Sequence, residues 1–400
     1  MKKLCFITQC SLPIPTVKGG AVETLVEYII NENEKTGNFK FTVISIWDEK
    51  AEKRSKEYKY TDFVYINHKS KKINKILLFV YKVLKYMNIY IPFSLEFKEA
   101  LNSISKLENQ DMYIFEAGPT TQLPALNKII PKEKLMVHIH WDGMANRKKD
   151  KCFSYLIPVS DYIGKQWADA SRCSTNKIKP LYNCAQIERF ALESTLEQRE
   201  ELKRNLKIPE DNNVIIFTGR IVQEKGIKEL LEAFEKLNNK KVTLLVIGSA
   251  NFGAKTNTSY EKEIINIIKK SNRSIVFTGY VHQTELYKYY NIADIAVMPS
   301  MFQDPAPLVC IETQATGTPL IATKVGGIQE YACKDGVILI EKDDNIVNKL
   351  VEEIDRLLDN PKLRKEMGKK NKEHAKQFNT KQYFKHFCDI LNEIESEGIK

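Results

Sequence analysis

The sequence predicts an α/β protein built from two doubly wound parallel sheets. Short β-rich runs alternate with longer helical patterns at both ends of the chain, as parallel sheets covered by helices on both faces require. The alternation restarts near residue 213, after a stretch with no strong period. Four hundred residues, 43% hydrophobic and 28% charged, are enough for two domain cores. They exclude a disordered tail, a fibre or a disulfide-stapled miniprotein.

In the first series, Leu4–Thr8 reads as a strand, followed by a loop with Pro13 and Pro15 and then by Gly19-Gly20 at the start of an amphipathic helix from Ala21. Further strands are expected at Phe41–Ile46, Phe63–Ile66, Met112–Phe115, Leu135–Ile139 and Leu156–Val159. The region between Asn183 and Leu206 suits a linker, and Pro209 marks the opening of the second unit. There Val214–Thr218 is a strand, Gly219–Gly226 a loop and Ile227–Leu237 a helix. Strands follow at Val242–Ile247, Ile275–Phe277, Ile295–Met298 and Leu320–Thr323. Three helical patterns, Asp344–Leu358, Pro361–Phe378 and Lys381–Glu395, close the chain, and the last is expected to cross back onto the first domain. The expected domains are therefore residues 1–185, residues 186–378 and a returning helix over 379–400, with a cleft between the two sheets. In such sheets ligands sit outside the carboxyl ends of the strands, so the loops after those strands are where function is sought.

The formal charge is +10, from 61 Lys+Arg against 51 Asp+Glu, and points to phosphate-bearing partners. The N-terminus, MKKLCFITQC, has too short an apolar stretch for a signal peptide, so a cytoplasmic protein is expected. No window reaches the 18 apolar residues of a bilayer-spanning helix. Eight cysteines lie without zinc spacing and read as reduced, mostly buried thiols.

Two loops carry chemistry. Gly219 to Gly226 places Arg220 and Lys225 between a strand and a helix N-terminus, where backbone N–H groups and the helix dipole favour an anion such as a diphosphate. After the strand at 295–298, Asp304 stands in a loop and Glu312 eight positions later inside the next helix. Ionised carboxylates offer several acceptor lone pairs, so this pair suits the hydroxyls of a sugar.

Taken together, Arg220 and Lys225, Asp304 and Glu312, Ala315-x-Gly317-x-Pro319-x-Ile321-Ala322-Thr323 and Val325-Gly326-Gly327 resemble the retaining nucleotide-sugar glycosyltransferases of family 4, which have the GT-B fold. The likeness extends over Pro13–Gly20, Val137–Asp142, Val159-Ser160, Asn183 and Thr278–Val281. It implies that Glu312 holds the donor ribose, Asp304 contacts the transferred hexose, and Arg220 with Lys225 neutralises the leaving diphosphate. The base would meet backbone groups of Tyr280 and Val281, with Leu286 nearby. Gly19 and Gly20 would let the first-domain backbone approach the acceptor, Gly20 also the donor phosphate, and His140 corresponds to an active-site histidine. The resemblance implies a nucleoside diphosphate sugar as co-substrate, uridine-linked ahead of guanosine-linked, and no cofactor. The sequence has no DxD motif to hold a metal.

Two positions depart from the family pattern. Asp304 replaces the commoner Glu and is shorter by a methylene. Pro307 replaces a frequent Gly and cannot donate a backbone N–H, which leaves the amides of Leu308 and Val309 as the expected phosphate and sugar contacts. His138 is expected to be a packing residue facing the opposite side of the sheet from His140. The implied chemistry is transfer with retention through an oxocarbenium-like transition state, the cations stabilising charge that builds on the leaving group.

Between Asn67 and Leu95 there are six lysines and no acidic residue. At about 100° per residue Ile73, Ile76, Leu77, Val80, Leu84 and Met87 share one face and Lys72, Lys75, Lys82 and Lys85 the other. Tyr81, Tyr86, Tyr90 and Phe93 add aromatics, and the pattern is that of a helix lying in an anionic membrane interface. An ordinary domain helix with its apolar face in the core is the alternative. The acceptor is then a glycan or lipid-linked glycan at the inner face of the plasma membrane. A non-catalytic nucleotide-sugar-binding scaffold subunit is the competing function, and an epimerase or phosphorylase on the same architecture a further one. Nucleic acid is not an expected partner, because no reading module accompanies the lysines.

Overall fold

A computed structural model describes the chain except residues 10, 68–70, 87–90, 93, 117–121, 142–149, 172, 251–257 and 398–400. The chain divides into two compact units, Met1–Asn183 with Thr380–Lys400, and Cys184–Asn379.

Each unit is built on a six-stranded sheet whose pairings are parallel. The strands of the first are β1 (Lys2–Ile7), β2 (Phe39–Ile46), β3 (Thr61–Ile66), β4 (Met112–Glu116), β5 (Leu135–Ile139) and β6 (Tyr155–Pro158), in the order β3-β2-β1-β4-β5-β6. The second contains β7 (Asn213–Thr218), β8 (Val242–Ile247), β9 (Ser274–Gly279), β10 (Ile295–Met298), β11 (Leu320–Thr323) and β12 (Val337–Ile340), in the order β12-β11-β10-β7-β8-β9. Central strands are apolar because both of their faces are covered; all six residues of β8 are buried. The strand order reverses between β1 and β4 and again between β7 and β10. At such reversals the loops run in opposite directions and leave a crevice.

In the second unit, Phe217, Leu244 and Val246 of the sheet pack with Leu230 and Phe234 of the helix Ile227–Lys236 and with Leu350 and Ile354 of the helix Ile346–Leu358. In the first, the closing helix Thr380–Ser396 buries Tyr383, Phe384, Phe387 and Ile390. Phe387 stacks on Phe6 of β1 at 6.0 Å, and Lys179 bonds Glu393 and Glu397 at 2.7 Å each. The seven described cysteines are free, five of them buried.

Two elements differ from expectation. The stretch expected to be a linker contains a helix, Leu196–Asn205, with no buried residue. Its signal is a capping box, in which Thr195 accepts from the Gln198 backbone and the Gln198 side chain accepts from the Thr195 backbone. A helix stabilised at its end and solvated all round leaves no apolar period to read. The strand β12, four apolar residues at the sheet edge, has no counterpart among the expected strands.

The helix Lys71–Tyr86 turns Tyr81 inward, and the Asn74 side chain ties it to Leu95 and Glu96. Leu77 and Leu84 are half-buried, whereas Ile73, Ile76, Phe79, Val80 and Val83 are exposed, Ile76 by 63% and Phe79 by 68%. Lys72, Lys75 and Lys82 are exposed beside them. The buried face is thus rotated toward Tyr81, and part of the expected apolar face is open. The side chains of Lys85 and Tyr86, and Met87, Tyr90 and Phe93, lie outside the described residues. Among the described residues no helix is long and apolar enough to cross a membrane.

Candidate active site

At the reversal in the second sheet the loop after β7 and the loop after β10 are locked together by backbone. The Met301 N–H donates to the Glu224 carbonyl at 2.8 Å. Gly226, at φ +70°, lies so close to Pro299 that a Cβ would sit 1.8 Å from its carbonyl oxygen, so only glycine meets both demands. The loop continues past Asp304, whose carbonyl accepts from the Gly327 N–H at 2.8 Å, while the Gly326 N–H donates to Gln303 Oε1 at 2.6 Å. The Val325-Gly326-Gly327 turn after β11 therefore holds Asp304 in place.

Two charged side chains pair on this frame. Lys225 Nζ donates to Asp304 Oδ2 at 2.5 Å and lies 4.9 Å from the Phe302 ring centroid. Asp304 is buried, and Lys225 remains partly open. Arg220, on the same loop, is exposed. Glu312 is buried in the helix Leu308–Thr316 and accepts from Gln283 Nε2 at 2.8 Å. Burial pushes its carboxyl up to about 7, against the opposing effect of that bond. Sequence reasoning misses Gln283, because an amide partner for a buried acid has no spacing signature of its own.

Leu308 and Val309 open the helix after Pro307, which caps it without a side-chain hydrogen bond. Their N–H groups fall among those that lack intrahelical partners. Tyr280 is exposed just past β9, and Val281 and Leu286 are half-buried. Tyr290, which sequence reasoning also misses, is buried and ties the end of β7 to this helix through its hydroxyl, 2.6 Å from Thr218 Oγ1 and 3.3 Å from Thr313 Oγ1.

In the first unit Gly19 and Gly20 precede the helix Ala21–Thr36, and the Gly20 carbonyl accepts from the Thr24 N–H. The loop leading to them is pinned by the buried Glu27, which accepts from the Thr16 N–H at 2.6 Å and from Arg54 at 2.5 Å. Glu23, in the first turn, is buried, and burial with the charge of Glu116 pushes its carboxyl up to about 7.

His138 and His140 share one side, contrary to the expectation from sequence. Residues two apart on a strand project from the same face, and both rings reach Glu116 at the end of β4. Glu116 Oε1 is 3.1 Å from His138 Nδ1, and Oε2 is 3.1 Å from His140 Nε2; the rings are 4.1 Å apart. Burial acts to raise the Glu116 carboxyl, but the two histidines outweigh it and hold it at about 2. Burial, then the His138 ring, lowers His140 to about 4. The three ligand-type atoms lie within 4.8 Å of one another, a spacing a metal ion would accept and that the hydrogen bonds already explain. Sequence reasoning misses Glu116, although an acid at the carboxyl end of a strand beside the reversal is its signal. Asp142, part of the same motif, lies outside the described residues.

Residues 198–374, which include Arg220, Lys225, Asp304 and Glu312, match the family model described as Glycosyl transferases group 1. The second unit carries a glycosyl transferases group 1 domain. Over 388 residues the chain is 24% identical to spore coat protein SA of Bacillus subtilis, covering 93% of this chain and 94% of that protein. It is 27% identical over 210 residues to a lipopolysaccharide 1,2-N-acetylglucosaminetransferase of Salmonella typhimurium, covering 52% of this chain and 53% of that protein. Anabaena HepE, solved in complex with UDP-glucose, superposes with a TM-score of 0.73 at 16% identity, over 98% of this chain and all of HepE. The fold is GT-B, with a Rossmann-like sheet in each unit. The glycosyl transferases group 1 domain holds the donor-side residues expected from the sequence, while Gly19, Gly20, Glu116 and His140 belong to the other unit.

Proposed function

We propose that the protein is a retaining glycosyltransferase that moves a hexose-type sugar from a nucleoside diphosphate sugar, uridine-linked rather than guanosine-linked, to a glycan or lipid-linked glycan acceptor without a metal ion. The observation that carries this reading is the Lys225–Asp304 ion pair at the reversal of the second sheet, with Arg220 on the same loop as Lys225 and the buried Glu312 in the helix that follows Asp304. Arg220 and Lys225 neutralise the departing diphosphate, aided by the amides of Leu308 and Val309 at a helix N-terminus. Glu312, oriented by Gln283, accepts from the ribose hydroxyls, and Asp304 contacts the hexose. Tyr280, Val281 and Leu286 meet the base. On the first unit, Gly19 and Gly20 adjoin the acceptor and His140 the transferred sugar. The anomeric carbon–oxygen bond breaks as the acceptor oxygen attacks from the same face, and the acceptor proton passes to the leaving phosphate. HepE's complex with UDP-glucose supports a uridine-linked donor.

A thermal-shift panel of nucleoside diphosphate sugars, followed by transfer assays, tests the reading. A donor at 100 times its Kd stabilises by about 2.7 kcal/mol. Failure of every uridine- and guanosine-linked sugar to raise Tm overturns the donor site. A shift without turnover assigns the chain to a non-catalytic binding subunit, whereas turnover lost in Lys225→Ala or Asp304→Asn keeps the transferase reading.

The same reading brings the acceptor to the inner face of a plasma membrane through the helix Lys71–Tyr86. Its support is the exposed apolar row Ile73, Ile76, Phe79, Val80 and Val83 beside Lys72, Lys75 and Lys82, with Lys85 on the same helix. Each lysine near an anionic surface contributes about 1 kcal/mol. Replacing the four lysines with glutamine is expected to abolish flotation with anionic vesicles, and unchanged flotation removes the membrane from the reading.

A further inference from the structure

Glu116 is sealed from solvent and touches two histidines that differ in what else they can reach. A carboxylate held ionised has only lone pairs to offer, so each nitrogen facing it must carry the hydrogen. That makes His138 a donor at Nδ1 and His140 a donor at Nε2. A neutral His140 ring has one donor and one acceptor, so its remaining nitrogen becomes an acceptor. The other ring nitrogen of His138, Nε2, is buried with no hydrogen-bond partner among the described residues. For His140 the acceptor is Nδ1, on a ring that is partly open to solvent and makes no other hydrogen bond among the described residues. The pair is anchored on the backbone: β4 and β5 are in parallel register with Glu116 opposite His138.

We infer that Glu116 is a positioning residue that fixes His140 as the Nε2–H tautomer, so that its Nδ1 lone pair accepts a hydrogen bond from a hydroxyl of a sugar bound at this end of the first sheet. The inference deepens the transferase reading and rests on it for the identity of the ligand, but the tautomer stands independently. His138 completes the device by bridging the carboxylate, its Nδ1 3.1 Å from Oε1 and 3.0 Å from Oε2, which keeps Glu116 from turning away from His140. The low position of His140's pKa, about 4 from burial and the neighbouring ring, keeps the imidazole neutral at physiological pH.

Nitrogen-15 NMR of histidine-labelled full-length protein at pH 7.5 tests this, with His140→Gln used to assign the signal. His140 is expected to show a protonated Nε2 and an unprotonated Nδ1 in the unmutated protein. In Glu116→Gln the amide can donate as well as accept, so the single tautomer is expected to give way to a mixture. With transfer activity in hand, kcat is expected to fall by about 10- to 100-fold while KM for the donor stays within about twofold, the scale on which orienting partners of metal-bound histidines act. A His140 carrying hydrogen on Nδ1, or on both nitrogens, in the unmutated protein overturns the inference without need of any variant. Retention of the Nε2–H tautomer with normal kcat in Glu116→Gln also overturns it. So does stoichiometric zinc in the purified protein that Glu116→Gln removes, which would make the three residues a metal site. Absence of transfer in the unmutated protein would remove the transferase reading while leaving the spectrum to decide the tautomer.

Discussion

Replacing Glu312 with glutamine should stabilise the second unit at alkaline pH while weakening donor binding. Glu312 is buried, and its carboxyl is pushed from 4.5 up to about 7. A raised acid binds more protons folded than unfolded between those values, so the stability it contributes falls as pH rises through that window. At pH 8 the deficit is about 3 kcal/mol, from the gap between 4.5 and about 7 at about 1.36 kcal/mol per pH decade. At pH 5 the same linkage leaves under about 1 kcal/mol. Glutamine is neutral at both pH values and keeps an oxygen for Gln283. The variant is therefore expected to melt several degrees higher at pH 8, at about 2–4 °C per kcal/mol for a unit of this size, with the gap narrowing at pH 5. Glu23 also has a raised pKa, but it is present in both proteins and cancels in the difference. The measurement is the Tm of each protein by calorimetry at pH 5 and pH 8, with and without a nucleoside diphosphate sugar. The amide gives up one acceptor oxygen, so donor affinity should fall by about 10- to 100-fold, the worth of a charged hydrogen bond. A variant no more stable at pH 8, or a gap of equal size at pH 5, would refute the claim that Glu312 is an ionised group held at a cost for ligand binding.

Gly226→Ala should cost more than the about 1–2 kcal/mol of a left-handed backbone, because its Cβ would meet the Pro299 carbonyl at 1.8 Å; urea unfolding measures it. Lys225→Ala leaves the buried Asp304 unpaired, so it should lower Tm, and the double variant with Asp304→Asn should recover part of the loss in a double-mutant cycle. Thr195→Ala should cost about 1 kcal/mol in the second unit by urea unfolding and leave donor binding unchanged, because the capping box is all that marks that helix. Phe79→Ser, at an exposed position, should leave stability within about 1 kcal/mol of the unmutated protein while reducing vesicle flotation.

Much of the fold is written in local pattern. Leu135–Ile139, Val242–Ile247, Ile295–Met298 and Leu320–Thr323 form strands with the bounds expected from their apolar runs, since a strand covered on both faces must be apolar throughout. The cations at 220 and 225 and the carboxylates at 304 and 312 are legible because short loops after strands restrict where such residues can go. What sequence could not supply is pairing across long separations. Lys225 meets Asp304 across 79 residues, Gln283 meets Glu312 across 29, and Glu116 meets His138 and His140 across 22 and 24. Each of those contacts exists because parallel strands bring loops from distant segments to one edge of a sheet, and no periodicity records which loops will be neighbours. The same holds for the helix Lys71–Tyr86. Its amphipathic pattern is a property of the sequence, but which part of its apolar surface stays open is decided by how Tyr81 and Asn74 dock it on the first unit.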